Sequence, residues 1–463
     1  MERKWRALII VCVAIFMLLL DITVVNVALP SIQRDLHTSL TDLEWVVDAY
    51  ALMLASSTLS AGSVGDLLGR KRVFISGVVI FTLASALCGS ATSPLFLNLA
   101  RGLQGVGGAI MFAVSLAILT QEFHGRERGT AFGIWGATVG AAVAIGPLVG
   151  GALTEWAGWR WIFFVNLPIG AACVAGAWAY LHESRDEEHG GFDAPGFALL
   201  TAGLFSLVLA LLRGEGWGWG SGRTIGLFAA GVVLLLLFAA AELRQKAPMF
   251  DFSLFRRPSF TGAQIVAFTI SSSMFAMFLF LTLYIQEQLH YSPIQAGLRF
   301  LPLSLLSFVT APIAGRLSAR IPVRILFGIG MSLVGAALLL MHGLTPSSRW
   351  THLLPGFIIG GIGVGLVNAP LASTAVGVVE PRRAGMASGI NNTFRQVGIA
   401  TGIAGLGAIF QHKIHGTDRV AFVSAMNTIL LVAAIVAFFG AAAGLALVRG
   451  RDFVRTQSSG AAA

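Results

Sequence analysis

Charged side chains are scarce in this sequence, and their scarcity excludes an ordinary soluble domain. Asp, Glu, Lys and Arg make up 11% of the 463 residues, whereas soluble globular proteins carry about 25%. Hydrophobic residues make up 56% of the chain, and the mean hydropathy is +0.80. Such a composition is typical of a membrane protein with several spans.

Cysteine is also rare. The chain has three cysteines, and Cys12, Cys88 and Cys173 all lie inside apolar runs. Isolated cysteines in apolar surroundings are usually small packing residues. We therefore expect neither a disulfide framework nor a cysteine-based metal site.

The motifs that catalysis or nucleotide binding would need are missing as well. The sequence has no phosphate-binding loop, no cluster with metal-ligand spacing and no nucleophile paired with a base. We therefore expect no metal, no cofactor and no enzyme activity, with an ion gradient as the energy source. A membrane-embedded enzyme or a non-transporting scaffold stays open as a rival class.

Long apolar runs, by contrast, fill most of the chain. About 20 apolar residues suffice to cross a bilayer as a helix. By this criterion the sequence predicts fourteen spans, at residues 7–29, 44–64, 73–91, 95–119, 130–153, 161–181, 195–213, 223–241, 261–286, 295–315, 323–342, 352–373, 385–410 and 421–447.

The basic residues are distributed unequally between the loops. Of the 31 Lys and Arg residues, 21 lie in segments that would share a side with the N-terminus, and eight lie on the opposite side. Positive charge is retained in the cytoplasm. The pattern therefore predicts cytoplasmic termini in the inner membrane, and it argues against nucleic-acid binding.

An internal repeat divides the chain. Six residues recur 256 positions later, so that Arg126, Gly129, Ala131, Gly133, Gly146 and Gly151 correspond to Arg382, Gly385, Ala387, Gly389, Gly402 and Gly407. Two related halves around a central site are typical of secondary transporters. We predict a six-helix bundle over residues 1–182, a linker with an inserted helix pair over 183–250, and a second six-helix bundle over 251–463.

One carboxylate, Asp21, lies inside the first apolar run. A charge at membrane depth costs on the order of 3 kcal/mol or more, so we expect Asp21 to be functional and to have a partner. Arg101 lies at a similar depth in the fourth segment, and Asp48 of the second segment is a third candidate. Burial favours a neutral carboxyl and a nearby Arg opposes it, so such a cluster can exchange a proton. Two alternatives stay open: a structural pair of Asp21 with Arg101, and an Asp48 hydrated at the external mouth.

Several short motifs occur together, and their combination resembles one known family. The motifs are 20–30 (LDITVVNVALP), Trp45 with Tyr50, 62–72 (GSVGDLLGRKR), 101–105 (RGLQG), 146–151 (GPLVGG), 159–170 (WRWIFFVNLPIG) and 388–396 (SGINNTFRQ). The sequence resembles the major facilitator superfamily, in particular its fourteen-helix drug:proton antiporter branch. The resemblance implies an all-α membrane protein with two six-helix bundles, an inserted central helix pair and alternating access.

The resemblance also implies two gating elements. One is a latch in the loop after the second helix, in which Asp66 can pair with Arg70 or with Arg126 and Arg128. The other is a hinge in the fifth helix, where a mid-helix proline removes a backbone hydrogen bond. The implied gating residues are Gly62, Asp66, Gly69, Arg70, Gly146, Pro147, Gly150 and Gly151. A simple basic turn and plain helix packing are the respective alternatives.

The sequence departs from the family pattern at three places. Ala142 replaces the usual glycine four positions before Gly146, and Asp48 lies where an uncharged residue is usual. The loop at 315–322, which corresponds to 62–72, lacks the acid that would match Asp66.

Polar side chains inside the predicted spans are the candidates for substrate binding. Arg395 lies near the midplane with no carboxylate in the neighbouring second-half segments, so it requires water, backbone carbonyls or an anionic group. Together with residues of the family-like motifs, the candidates are Asn26, Tyr50, Gln104, Tyr284, Gln286, Asn391, Asn392 and Arg395.

The sequence thus predicts a proton-coupled antiporter that exports hydrophobic, cationic or zwitterionic drugs or toxic compounds. The alternative is a lipid or endogenous-metabolite exporter of the same fold, for which Arg395 is the motivating residue. Expected partners are a small hydrophobic substrate, protons and membrane lipids. We expect a monomer, and a periplasmic adaptor stays open.

Overall fold

The computed structural model describes residues 2–38, 40–185, 193–244, 250–318, 320–380, 383–413 and 419–452, and it contains no strand within these ranges. The helices are α1 Arg3–Leu36, α2 Leu40–Leu68, α3 Arg70–Gly89, α4 Pro94–Glu122, α5 Gly125–Trp156, α6 Trp161–Phe164, α7 Asn166–Tyr180, α8 Ala194–Trp217, α9 Gly222–Glu242, α10 Pro258–Ile270, α11 Ala276–Leu283, α12 Pro293–Leu317, α13 Val323–Met341, α14 Leu354–Gly377, α15 Ala384–Lys413 and α16 Arg419–Leu447. Two π-helical segments, Ser271–Phe275 and Tyr284–Gln288, interrupt the stretch from α10 to α12.

Local sequence explains where several helices begin. Ser93 precedes Pro94, and its hydroxyl accepts a hydrogen bond from the Phe96 N–H at 3.3 Å. Ser292 and Gln295 form a reciprocal capping box at the start of α12. Serine caps satisfy free N–H groups of the first turn, and proline fits there because it has no N–H to satisfy.

Twelve helices in the described part of the chain are long and apolar enough to cross a membrane. The predicted count of fourteen spans is therefore not confirmed. The two long helices outside the twelve are α5 and α15. The side chains at 143, 144 and 147 of α5 lie outside the described residues, so the count does not test this helix, and α15 carries the polar residues Asn391, Asn392 and Arg395.

Glycines related by the internal repeat join the two halves of the chain. A Cβ atom at Gly129 in α5 would overlap the carbonyl oxygen of Gly315 in α12. A Cβ atom at Gly385 in α15 would lie 2.6 Å from the carbonyl oxygen of Gly62 in α2. Residues without a side chain allow such close approach of helix backbones. We call these two contacts, α2 with α15 and α5 with α12, the seam.

Ion pairs mark the two ends of the bundle. Lys4 of α1 lies 2.8 Å from Glu127 of α5, and we call this end the basal side. At the opposite, distal side, Arg160 lies 2.6 Å from Asp35 at the end of α1. Hydrogen bonds from Arg160 and then from Trp159 lower the pKa of the Asp35 carboxyl below its ordinary value. The first ion pair joins α1 to α5, and the second joins α1 to the turn before α6.

The inserted pair, α8 and α9, packs against α2 and α15. Ser60 of α2 and Thr201 of α8 share a hydrogen bond of 2.9 Å. Leu52 of α2, Val208 of α8 and Ala400 of α15 belong to one buried apolar cluster. The α8 helix therefore covers the α2–α15 contact from the outside. The predicted domain limits around it stay a prediction.

Candidate functional site

Asp21 lies at the centre of a buried polar network between α1, α4 and α7. Its side chain is 1% exposed and forms an ion pair with Arg101. Gln104 Nε2 donates to Asp21 Oδ1 at 3.0 Å, and Asn166 Nδ2 donates to the same oxygen at 3.2 Å. Both carboxylate oxygens thus accept hydrogen bonds. We call Asp21, Arg101, Gln104 and Asn166 the Asp21 network.

Arg101 has acceptors besides Asp21. Its Nε donates to the Val46 carbonyl at 3.0 Å, and its Nη1 donates to Gln104 Oε1 at 2.7 Å. The guanidinium also lies 4.2 Å above the Tyr50 ring, and cation–π contacts of this kind stabilise a desolvated cation. The predicted meeting of Asp21 with Arg101 is therefore present, while its role in proton coupling stays a prediction.

The sequence analysis did not predict two residues of this site, Asn166 and Ser85. Asn166 was part of a family-like motif but received no role, and Ser85 of α3 had no signal at all. Asn166 Nδ2 also lies 3.0 Å from Ser85 Oγ, and Ser85 donates to the Phe163 carbonyl at 2.9 Å. These contacts orient the Asn166 amide towards Asp21.

Two predicted substrate-binding residues lie inside the Asp21 network or against it. Tyr50 is 1% exposed, and its hydroxyl donates to the Leu18 carbonyl at 3.3 Å. Gln104 is wholly buried between Arg101 and Asp21. Their role in binding substrate stays a prediction. Asn26 lies in α1, but its side chain is outside the described residues.

Asp48 has a partner that the sequence did not suggest. Its carboxylate lies 3.1 Å from Arg213 Nε of α8. The same guanidinium lies 4.2 Å from the Trp45 ring. Asp48 therefore joins α2 to the inserted helix pair. We had predicted Asp48 either beside Asp21 or in water at the external mouth, and neither prediction included this ion pair.

The latch at the basal side crosses the seam. Asp66 of α2 pairs with Arg70 at 2.8 Å, as predicted. The same carboxylate accepts hydrogen bonds from the Gly385 and Met386 N–H groups of α15 at 3.0 and 2.8 Å. A helix N-terminus favours negative charge. The sequence missed this contact because it joins residues 319 and 320 positions apart.

Gly69 connects the latch to α3. It adopts a φ of 108°, a left-handed value that favours glycine. Glu183, beyond α7, accepts hydrogen bonds from the Lys71 and Arg72 N–H groups at 3.0 and 3.2 Å. The carboxylate thereby satisfies free donors at the start of α3. The predicted alternative partner Arg126 has its side chain outside the described residues.

The predicted hinge in α5 lies against α1. A Cβ atom at Gly146 would overlap the Thr23 side chain, and one at Gly150 would lie 3.0 Å from the Val24 backbone. On the other face, a Cβ atom at Gly151 would lie 2.8 Å from Ile294 of α12. The hinge therefore touches α1 one turn after Asp21. Pro147 lies in the same helix, but its side chain is outside the described residues.

The polar residues of α15 form a second buried group. Arg395 Nη2 donates to Asn368 Oδ1 of α14 at 2.6 Å. Asn391 Nδ2 donates to Gln264 Oε1 of α10 at 3.1 Å. Asn392 Nδ2 donates to the Phe112 carbonyl of α4, in the first half of the chain, at 3.0 Å. Arg395 lies four residues after Asn391 and three after Asn392, so it is a neighbour of both on the surface of α15.

Tyr284 and Gln286 lie elsewhere, in the π-helical segment Tyr284–Gln288. The Tyr284 ring is buried and stacks on Phe422 with centroids 6.4 Å apart. Gln286 is half-buried. The structure does not join them to the Asp21 network, and their substrate role stays a prediction.

The described residues contain no group of three or more His, Cys, Asp or Glu side chains that could hold a metal ion. The architecture is that of a multi-pass membrane protein. The sequence profile of the Major Facilitator Superfamily matches residues 11–403. The chain belongs to this family.

Its relatives carry names for drug resistance and export. The puromycin resistance protein of Streptomyces alboniger is 38% identical over 412 residues, covering 88% of this chain and 82% of that protein. The tetracenomycin C resistance and export protein of Streptomyces glaucescens is 33% identical over 413 residues, with 89% and 77% covered. The multidrug resistance protein Stp of Mycobacterium tuberculosis is 37% identical over 406 residues, with 87% and 75% covered.

The fold is similar to that of a solved transporter. The crystal structure of the human organic anion transporter MFSD10 superposes with a TM-score of 0.70 and covers 96% of this chain and 100% of that one. The sequences are 14% identical, so this likeness supports the fold alone.

Proposed function

We propose that this protein is a proton-coupled antiporter that exports hydrophobic, cationic or zwitterionic drugs or toxic compounds across the inner membrane. The observation that carries the proposal is the buried Asp21 network, in which a carboxylate 1% exposed is held by Arg101, Gln104 and Asn166. The names of the relatives support the export of drugs. The excess of basic residues on one side supports cytoplasmic termini.

Under this proposal α5 and α15 cross the membrane too, which gives fourteen spans. They are 32 and 30 residues long, and about 20 residues suffice to cross. Both lie at the seam, where other helices surround much of their polar surface. Polar residues inside a membrane protein generally face such interior surfaces rather than lipid.

Protonation of Asp21 would release Arg101. The guanidinium then keeps the Val46 carbonyl, the Gln104 amide oxygen and the Tyr50 ring as partners. These alternative contacts lower the cost of separating a buried ion pair, which is otherwise several kcal/mol. The network can therefore exist in two states with similar free energies.

A path leads from Asp21 to the other half of the chain. Thr23 and Val24, which follow Asp21, pack on Gly146 and Gly150 of α5. The basal part of α5 contacts α12 backbone to backbone at Gly129. A shift of α1 against α5 would therefore move the seam, and packed elements of this kind can couple distant sites. A monomer, with or without a periplasmic adaptor, is part of the same hypothesis.

The test is dye transport driven by a pH gradient in liposomes, with rhodamine 123 and ethidium as probes. We expect Asp21→Asn to bind the dyes as the wild type does. Its rate of gradient-driven dye transport should be at least about tenfold lower. The matched control is Asp35→Asn, which neutralises an exposed carboxylate on the same helix. Transport by Asp21→Asn at the wild-type rate would contradict the proposal.

A further inference from the structure

Arg395 is a buried cation without a carboxylate partner in the described part of the chain. Its residue is 5% exposed, and Asn368, which is wholly buried, accepts from its Nη2 at 2.6 Å. Arginine stays protonated in proteins. A lone buried charge is costly, and the cost is offset when an opposite charge lies beside it.

The described acidic residues of the second half do not pair with Arg395. Asp251 pairs with Arg383 at 2.6 Å, and Asp452 accepts from the Ser259 hydroxyl at 2.7 Å, both near the basal side. Glu287 and Glu380 are exposed. These carboxylates leave the charge of Arg395 uncompensated, whereas an anionic ligand beside it would compensate it.

Two free donors are placed to receive it. Arg395 Nε and Asn368 Nδ2 are both buried without a hydrogen-bond partner in the described structure. The bond between the same two side chains fixes their relative orientation. A guanidinium forms strong, charge-assisted hydrogen bonds with carboxylates and other oxyanions, and the neighbouring amide can add a further donor.

Two stacked aromatic side chains, Phe112 of α4 and Trp135 of α5, lie near Asn392, about one helical turn from Arg395. Asn392 donates to the Phe112 carbonyl, and the Phe112 ring stacks on Trp135 with centroids 5.8 Å apart. Trp135 Nε1 is buried and has no partner among the described residues. Both rings are buried in this structure, so an aromatic ligand would reach them only after the helices move apart.

We propose that Arg395 and Asn368 bind the acidic group of the exported compound, a carboxylate or another oxyanion carried on an aromatic body. This inference rests on the proposed function and specifies the substrate class. The Asp21 network would handle the proton in the first half of the chain. The Arg395 and Asn368 pair would hold an anionic group of the substrate in the second half.

The test compares two dyes that differ by one ester. Rhodamine 110 has a free carboxylate, and rhodamine 123 is its methyl ester. Their affinities are measured by fluorescence with purified protein in phosphatidylcholine nanodiscs. Arg395→Gln is expected to weaken rhodamine 110 at least about tenfold and rhodamine 123 less than about twofold, because a charge-assisted hydrogen bond is lost for the acid alone.

A second variant keeps the test independent of folding losses. Asn368→Asp is isosteric and supplies an internal carboxylate to Arg395, so it should raise the thermal unfolding temperature while abolishing the preference for rhodamine 110. Arg223→Gln, which removes an exposed arginine at the start of α9, is the control and should change neither affinity. Wild-type protein that binds rhodamine 110 no more tightly than Arg395→Gln does would overturn the proposal.

The same assay distinguishes an acidic substrate from an acidic lipid headgroup. It also distinguishes failure of the anion site from failure of the proton coupling. Competition with rhodamine 110 by phosphatidylglycerol in the nanodisc, lost in Arg395→Gln, would assign the oxyanion to a lipid headgroup and still support the site. Discrimination between the dyes without gradient-driven transport would refute the proton coupling and leave the anion site standing. Transport that depends on Asp21, in a wild-type protein that does not discriminate between the two dyes, would refute the anion site and leave the proton coupling standing.

Discussion

At the scale of single residues, the two buried arginines are in opposite situations. Arg101 has an ion pair, a carbonyl, an amide oxygen and an aromatic ring around it. Arg395 has one amide oxygen. A complete network stabilises the charge it contains, whereas an incomplete one is costly until a ligand completes it. The contrast is the basis for assigning the proton to the first half and the ligand to the second.

The completeness of the Asp21 network predicts the stability of its variants. Arg101→Leu leaves a buried carboxylate with amide donors alone, so the free energy of unfolding should fall by about 3 to 5 kcal/mol. Adding Asp21→Asn removes the stranded charge and should recover more than half of that loss. Thermal unfolding in detergent measures both changes. A single Arg101→Leu variant as stable as wild type would show that Asp21 finds water instead.

At the scale of helices, α1 and α5 fit together because α5 lacks side chains where they meet. Gly146 and Gly150 are four residues apart and therefore lie on one face, against Thr23 and Val24. The sequence predicted a hinge at this place from the family motif. The structure adds that the glycines of the predicted hinge pack against α1, the helix that carries Asp21.

The fit predicts the effect of a single methyl group. Gly146→Ala should destabilise the protein by about 1 to 3 kcal/mol and slow transport, because the new Cβ overlaps Thr23. Thr23→Gly in the same protein should recover part of the stability. Thermal unfolding and dye transport measure the two effects.

The inserted pair offers a matched control for this variant. A Cβ atom at Gly226 in α9 would contact nothing within 4 Å. Gly226→Ala should therefore be neutral or slightly stabilising, since alanine favours a helix over glycine. Equal effects of the two substitutions would mean that helix propensity, rather than the contact with α1, explains them.

At the scale of the whole molecule, the contacts between the two predicted halves include close backbone approaches, the Asn392–Phe112 hydrogen bond and the Asp66 carboxylate. Asp66 ties Arg70 of the first half to the Gly385 and Met386 N–H groups of the second. The contact lies beside the closest approach of α2 and α15, at Gly62 and Gly385. The basal side of the seam is therefore closed in this structure.

Loss of this carboxylate should open the basal side. Asp66→Asn keeps the shape but removes the charge that accepts from Arg70 and from the start of α15. We expect labelling of Ser388→Cys, a buried position of α15, by a membrane-impermeant maleimide to rise at least about threefold. Glu183→Gln is the control, because Glu183 bonds within the first half. Unchanged labelling in Asp66→Asn would contradict a latch.

The sequence by itself determined the membrane class, the approximate helix positions and the pairing of Asp21 with Arg101. Hydropathy and charge are properties of one segment at a time, and depth along a helix follows from residue number. Two glycines of the seam, Gly129 and Gly385, were visible in the sequence as members of the repeat. The exception among the helix properties is the count of fourteen spans, which is not confirmed, because polar residues lower the hydropathy of α15 and part of α5 lies outside the described residues.

Apart from the pair of Asp21 with Arg101, only the tertiary structure decided which side chains meet across helices. Asn166 with Asp21, Arg213 with Asp48, the start of α15 with Asp66, and Asn368 with Arg395 all join residues from different helices. Such contacts depend on how each helix is rotated and tilted against its neighbours. Rotation is set by close packing of small residues along whole helix faces, and no single segment of sequence contains that information.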